Sequence, residues 1–373
     1  MNKIDLDTLL YQSVENGDVP GIVAQVVNRS DTLYCGAFGR ISDHNSVDMP
    51  VDAIFQIKSM TKPITSVAIM ILQEEGLLDI NDPVERYLPE FKDVKIIAES
   101  GDSDIPYLVR PLSRQLTLQH LLTHTAGVSY PFCNRTLNNL GKPLPLPTPI
   151  LHEPGARWTY GPGTRILGHV IEQVTHEPLD HFLESRIFKP LAMKDTGFHL
   201  KPENAPRFVS LHRRVNDVLI CEQNPNPYEP QVFGDIGLLT TINDYSRFLQ
   251  MLLNMGQMDG ERILAEDSVI KMTRNQIGAL VVEEQPGAVP ELANPFPLDA
   301  GEDNFGLGFQ IRTSAEKGRR SPGSYSWSGL YNTHFWVDPK QEIAALLFIQ
   351  VLPFYDSRGI QIMLDFERQI YYS

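Results

Sequence analysis

Apolar positions in this chain follow two patterns, strand-like at both ends and helical through the middle. Residues 5–16 repeat at helical spacing, and two short strands follow at 21–27 and 32–38. The linker 28–31 is short and polar, so the two runs read as a hairpin. Residues 54–57 read as a strand end. The run 63–76 is apolar nearly all round and predicts a buried helix. Thr117 is placed to cap a helix over 118–123, and Asp82 to cap a short one ending near Leu88. Further helices are expected at 163–175, 179–187 and 243–255. Segment 92–114 has β-like pieces at 94–97 and 107–109 around an acidic turn. Residues 141–154 are too rich in proline for regular structure. Residues 276–303, rich in Pro, Ala and Glu, read as a loosely ordered, mobile flap. Strand patterns return at 306–312, 325–337 and 342–351, and a helix closes the chain over 357–372.

Strands, a long helical insert, then strands again is not the steady alternation that builds a parallel sheet. The expected fold is α/β of the α+β type: an antiparallel sheet flanked by helices, built from both chain ends, with a mostly helical lobe inserted. The sheet domain comprises 1–58 and 230–373, and the helical domain 59–229. A residue at the head of the insert then lies in the cleft between them, a usual place for a ligand site.

Two residues at that head carry chemistry. Ser59 and Lys62 are three apart on a first helical turn, so the ammonium can reach the hydroxyl. Pro63 agrees, because a helix tolerates proline in its first turn. The helix N-terminus and burial both disfavour a charged Lys62, and a neutral amine beside a hydroxyl is a base beside a nucleophile. Ser-x-x-Lys also occurs at Ser268/Lys271 and Ser314/Lys317, but the first looks like a solvated helix face and the second like a polar turn. No Gly-x-Ser-x-Gly, P-loop or Gly-x-Gly-x-x-Gly is present, and no cofactor is expected. His120 and His124 stand four apart without a His-Glu-x-x-His frame, so helix-to-loop packing is their expected role and no metal site is assigned. The pairs Glu74/Glu75, Glu266/Asp267 and Glu283/Glu284 read as solvated surface.

Composition narrows the class. A chain of 373 residues with net charge −14 can bury a large core and is ill suited to hold nucleic acid through phosphate contacts. No uninterrupted apolar run of 18 residues is present to span a bilayer, and residues 1–10 lack the apolar core of a signal peptide. Cys35, Cys133 and Cys221 are odd in number and far apart, and read as free thiols of the core in a reducing compartment. A cytoplasmic location is expected, where the sequons at Asn28 and Asn134 carry no meaning. The expected partner is a small molecule, with neither membrane nor nucleic acid; a homo-oligomer is compatible with the sequence.

Segment 55–79, with its Ser-Met-Thr-Lys and following Leu-Gln-Glu-Glu-Gly-Leu-Leu-Asp, resembles the serine β-lactamase-like superfamily. Segments 117–127 (Leu-Leu-Thr-His-Thr-Ala-Gly at its end), 153–160, 237–248 and 305–309 extend the likeness in order over about residues 20–350. It is nearest the branch of class C β-lactamases, D-aminopeptidases and family VIII carboxylesterases. The resemblance implies Ser59 as nucleophile, Lys62 as its base and Tyr160 as the phenol that opens a Tyr-x-Asn motif. A phenol near an ammonium is expected to have its ionised form favoured. Two departures bear on substrate. Pro162 replaces the motif's Asn, and Trp327-Ser328-Gly329 stands where the family carries Lys-Thr-Gly. The backbone N–H groups of Ser59 and Leu330 would form the oxyanion hole, Trp327, Ser328 and Gly329 would bind substrate, and Gly329 would let it approach the strand. With the carboxylate-binding cation replaced by an indole, the implied activity is a serine hydrolase of small, uncharged carboxylic esters. An acyltransferase, or an amidase or β-lactamase-type hydrolase, would use the same acyl-enzyme. A non-catalytic scaffold is the reading from another class, and retention of Ser59, Lys62 and Tyr160 together speaks against it.

Overall fold

The computed structural model describes residues 2–42, 47–98, 108–139, 147–229 and 232–372. Strands from both ends of the chain form one antiparallel sheet, as the patterning implied. In chain order its strands are β1 (Gly21–Val27), β2 (Thr32–Gly39), β3 (Asn304–Phe305), β4 (Gln310–Ile311), β5 (Tyr325–Gly329), β6 (Thr333–Asp338) and β7 (Ile343–Phe348). Their spatial order is β3-β4-β5-β6-β7-β1-β2. The N-terminal hairpin thus closes onto the last long strand, with Val23 opposite Phe348. Strand β1 is buried along its whole length, because both faces of the sheet are covered. Helices α1 (Lys3–Glu15) and α5 (Ser357–Tyr371) cover one face, where Leu6, Leu10, Phe366 and Ile370 meet Ile22, Ala24 and Val26. On the other face lies α4 (Ile242–Leu253), whose Tyr245 packs its ring 5.4 Å from that of Phe335 on β6.

The helix at the centre of the sequence argument is α2 (Thr61–Glu74), entered through a tight turn, Lys58–Met60. Every residue from Thr61 to Leu72 is buried, so the all-round apolar pattern did mark a core helix. It packs against α3 (Gly163–Thr175). The strand end expected at 54–57 is the two-residue strand Phe55–Gln56, which pairs with Leu239–Thr240 and aligns the entry to α2 with the 234–238 loop. The Tyr245 hydroxyl donates to the Met60 carbonyl at 2.9 Å and anchors the entry turn from below.

Several expectations change. Asp82 does not cap a helix backbone; it accepts from the Tyr87 hydroxyl (2.5 Å), Arg86 (2.8 Å) and the Asp79 N–H (3.1 Å), ending up as a turn clasp. Segment 276–303 is irregular, as its composition implies, but it is not a loose flap. Ile277, Val282, Ala293 and Phe296 are core residues, and its backbone closes on itself through Val282 to Asp303 and Gln285 to Phe296. Ser268 is buried in the helix Glu266–Met272 rather than solvated. Of the cysteines only Cys133 is core; Cys35 is exposed and Cys221 half-buried, and none forms a disulfide. The strand pieces 94–97 and 107–109 correspond to a hairpin, Lys95–Ala98 with Leu108–Pro111. The acidic turn between them lies outside the described residues, as do residues 141–146 of the proline-rich stretch. No helix among the described residues is long and apolar enough to cross a membrane.

Candidate active site

Three remote parts of the chain converge on Ser59. Lys62 Nζ lies 3.2 Å from Ser59 Oγ, and the Tyr160 hydroxyl donates to the same oxygen at 2.6 Å. Tyr160 sits on a loop pressed onto residues 128–129. A Cβ at Gly161 would come 2.2 Å from the Val128 carbonyl oxygen, and Ser129 donates to the Tyr160 carbonyl at 3.1 Å. That packing also sets the ring of Tyr130 5.5 Å from the ring of Tyr160.

Tyr130, Asp235 and Arg165 complete the polar side, and none was singled out from the sequence. Lys62 Nζ donates to the Tyr130 hydroxyl (2.9 Å) and the Asp235 carbonyl (3.1 Å). The Tyr130 hydroxyl donates to Asp235 Oδ2 at 2.5 Å, and Arg165 Nε to Oδ1 at 2.8 Å. Asp235, fully buried, is thus satisfied by one phenol and one guanidinium, as a buried carboxylate must be. Sequence offered little here, since Tyr130 and Asp235 lie in loops without periodicity.

Burial sets the proton balance. It pushes Lys62 down to about 8, against the pull of the Asp235 carboxylate and with help from Arg165. A lysine at that value is substantially neutral at mildly alkaline pH. For Tyr160 the expected favouring of the phenolate is overturned. Burial drives the phenol well above its usual value and outweighs the lowering from the Ser59 hydrogen bond. At rest Tyr160 is therefore protonated, while Lys62 loses its proton far more readily than an exposed lysine.

The opposite side is buried and aromatic. The Trp327 ring on β5 is stacked on His124 (6.0 Å between centroids) and lies 5.2 Å from Tyr160 and 5.5 Å from Phe305. Phe296 from the 276–303 segment meets Tyr160 edge-on at 5.5 Å. His124 adopts a left-handed backbone, is buried, and is held neutral by burial and then by Lys62, so it packs helix to loop as expected. His120 closes a capping box with Thr117. No group of metal-ligating side chains occurs among the described residues.

The end of β5 differs from the expectation in one respect. A Cβ at Gly329 would come 2.2 Å from the Ile57 carbonyl oxygen, so this glycine makes room for the protein's own backbone and not for a substrate. The contact clamps the end of β5 against the Lys58–Met60 turn, and Leu330 is the first residue beyond that clamp. Ser328 occupies the other side of the strand, with Ser326 and His334 around a small cavity. No hydrogen bond ties its side chain to the Ser59 cluster among the described residues. Pro162 stands at the N-cap of α3, which has no side-chain cap.

The beta-lactamase family model matches residues 6–368. The chain belongs to that family. Among family relatives, the monacolin J acid methylbutanoyltransferase of Aspergillus terreus is 27% identical over 98% of this chain and 95% of its own length. The lovastatin esterase of Penicillium rubens is 25% identical over 98% of each. The structure of a simvastatin synthase variant from Aspergillus terreus superposes with a TM-score of 0.85 at 25% identity, covering 99% of this chain and 94% of that one. The fold is accordingly the β-lactamase/transpeptidase-like one, in an enzymatic family whose relatives include acyltransferases and esterases.

Proposed function

We propose that the protein is a serine acyl hydrolase that cleaves small carboxylic esters through an acyl-enzyme on Ser59. The observation that carries this is the shared Ser59 oxygen, held by a neutral-prone lysine on one side and a protonated phenol on the other. In the proposed course, neutral Lys62 takes the Ser59 proton as Oγ attacks the ester carbonyl. The N–H groups of Ser59 and Leu330 receive the oxyanion. Tyr160 then gives its proton to the departing alkoxide and is replenished from Lys62, so no net charge accumulates. Water repeats the sequence in reverse to free the acid. The catalytic machinery lies between the sheet domain (1–58 and 230–373) and the helical domain (59–229), with the aromatic wall of Trp327, Tyr160, Phe305 and Phe296 receiving an apolar acyl group.

Acyl transfer to an alcohol is the second reading, favoured by the relatives named as methylbutanoyltransferases. It shares every step up to the acyl-enzyme. Feeding a p-nitrophenyl ester and measuring free acid against new ester in the presence of an added alcohol separates the two. Release of acid alone supports the hydrolase; new ester dominating at millimolar alcohol replaces it with a transferase.

A further inference from the structure

Lys58, the residue before the proposed nucleophile, has no evident structural reason to be a lysine. Its backbone is left-handed (φ 43°), a conformation that glycine adopts freely and lysine at a cost. Its side chain is half-buried, and no carboxylate among the described residues pairs with it. Burial lowers its pKa to about 8, and no acidic group among the described residues pulls it back. Its ammonium lies over the face of Tyr331, 4.7 Å from Nζ to the ring centroid. That ring is itself buried, and the nearby Glu222 is taken up by Arg213. In a chain of net charge −14, an uncompensated, partly desolvated cation is conspicuous.

Its position adds to this. Lys58 lies where the entry turn to α2 meets the turn after β5, clamped together by Gly329 on the Ile57 carbonyl. Those two turns carry the Ser59 and Leu330 N–H groups. Lys58 adjoins Ser59 within one turn, so its charge is carried on the residue next to the proposed nucleophile. We infer that Lys58, steadied on the Tyr331 ring, binds a carboxylate carried by the substrate, and so restores from the serine side the anion recognition that Trp327 removes from the strand. The inference rests on the acyl-enzyme reading of Ser59. It makes the preferred substrate an ester with an apolar acyl portion and one anionic group near the scissile bond. A carboxylate would gain a charge-assisted hydrogen bond there, worth more than a neutral one because both partners are ionised and the lysine is half-buried.

The test compares the unmodified protein with Lys58→Gln and Lys58→Arg on matched esters. One pair is p-nitrophenyl acetate and p-nitrophenyl hydrogen succinate, with the anion on the acyl side. The other is phenyl acetate and p-carboxyphenyl acetate, with the anion on the leaving group. In at least one pair, Lys58→Gln is expected to lower the anionic-to-neutral ratio of kcat/KM about tenfold or more, and Lys58→Arg to retain it. A ratio unchanged in both pairs, with thermal unfolding intact, overturns the inference. So does an equal loss on both members of each pair, which would mark Lys58 as a support for the turn or the oxyanion. Adduct mass on Ser59 is recorded alongside. If no ester acylates the unmodified protein, the acyl-enzyme reading fails first; if Ser59 acylates normally and the ratios stay fixed, only the Lys58 inference fails.

Discussion

The two sides of Ser59 are built on opposite principles. On one, Lys62, Tyr130, Asp235 and Arg165 form a net in which each polar group has a partner at 2.5–3.1 Å. On the other, Trp327, His124, Phe305 and Phe296 surround Tyr160 with rings and no charge. Tyr160 belongs to both, its hydroxyl in the net and its ring in the wall. The comparison separates two questions that a motif search merges. Under the proposed mechanism the polar net governs when a proton can leave Ser59, whereas the aromatic wall governs what can sit beside it.

The comparison breaks most sharply at the shared oxygen. Ser59→Ala is expected to leave only background ester turnover with folding unchanged, measured as kcat with near-UV circular dichroism as the control. Next come Lys62→Ala and Tyr160→Phe, each expected to cost about 10²–10⁴-fold in kcat. Because they act on one oxygen, the double variant should be little worse than the worse single. Fully multiplicative losses in that cycle would mean that the two work independently. The Lys62 value sets the pH profile. The amine is charged below about pH 8 and free above it, so kcat/KM should rise through that region; an optimum near pH 5 would contradict a lysine base.

Changing the wall should alter choice more than rate. Trp327→Lys is expected to reduce turnover of neutral esters and raise the anionic-to-neutral ratio about tenfold. A fall in thermal stability without any change in that ratio would show that the indole only packs. The smallest expected effect lies at the rim of the net. Arg165 depresses Lys62 and also neutralises Asp235, whose charge raises it. Arg165→Met removes both restraints, so the rising limb of the profile should move a fraction of a pH unit to the alkaline side. A shift toward acid would mean that the net is wired differently.

How much of this could be read in advance followed from what kind of interaction holds each part. The buried helix α2 announced itself, since twelve successive buried residues leave an unmistakable apolar run. So did the sheet strands at both chain ends, and the Ser59–Lys62 spacing. Tyr130 and Asp235 did not, because loop residues acquire their meaning from contacts 68 and 173 positions away from Lys62. Gly329 on its own implies room for a substrate, whereas a carbonyl from a distant turn fills the space. The Tyr160 shift runs opposite to what proximity to an ammonium alone implies, because burial outweighs it. Segment 276–303 looked loose by composition, yet Phe296 locks it into the site wall. Composition describes a segment's own tendencies, not the surface it will cover.

The central claim is that Ser59, and no other serine of a Ser-x-x-Lys pattern, becomes acylated. Treating the protein with a fluorophosphonate and mapping the adduct by peptide mass tests it directly. The account predicts a single adduct on the peptide that carries Ser59, abolished in Ser59→Ala and accelerated as pH rises through 8. Labelling at Ser268 or Ser314, or no labelling at all, would contradict it.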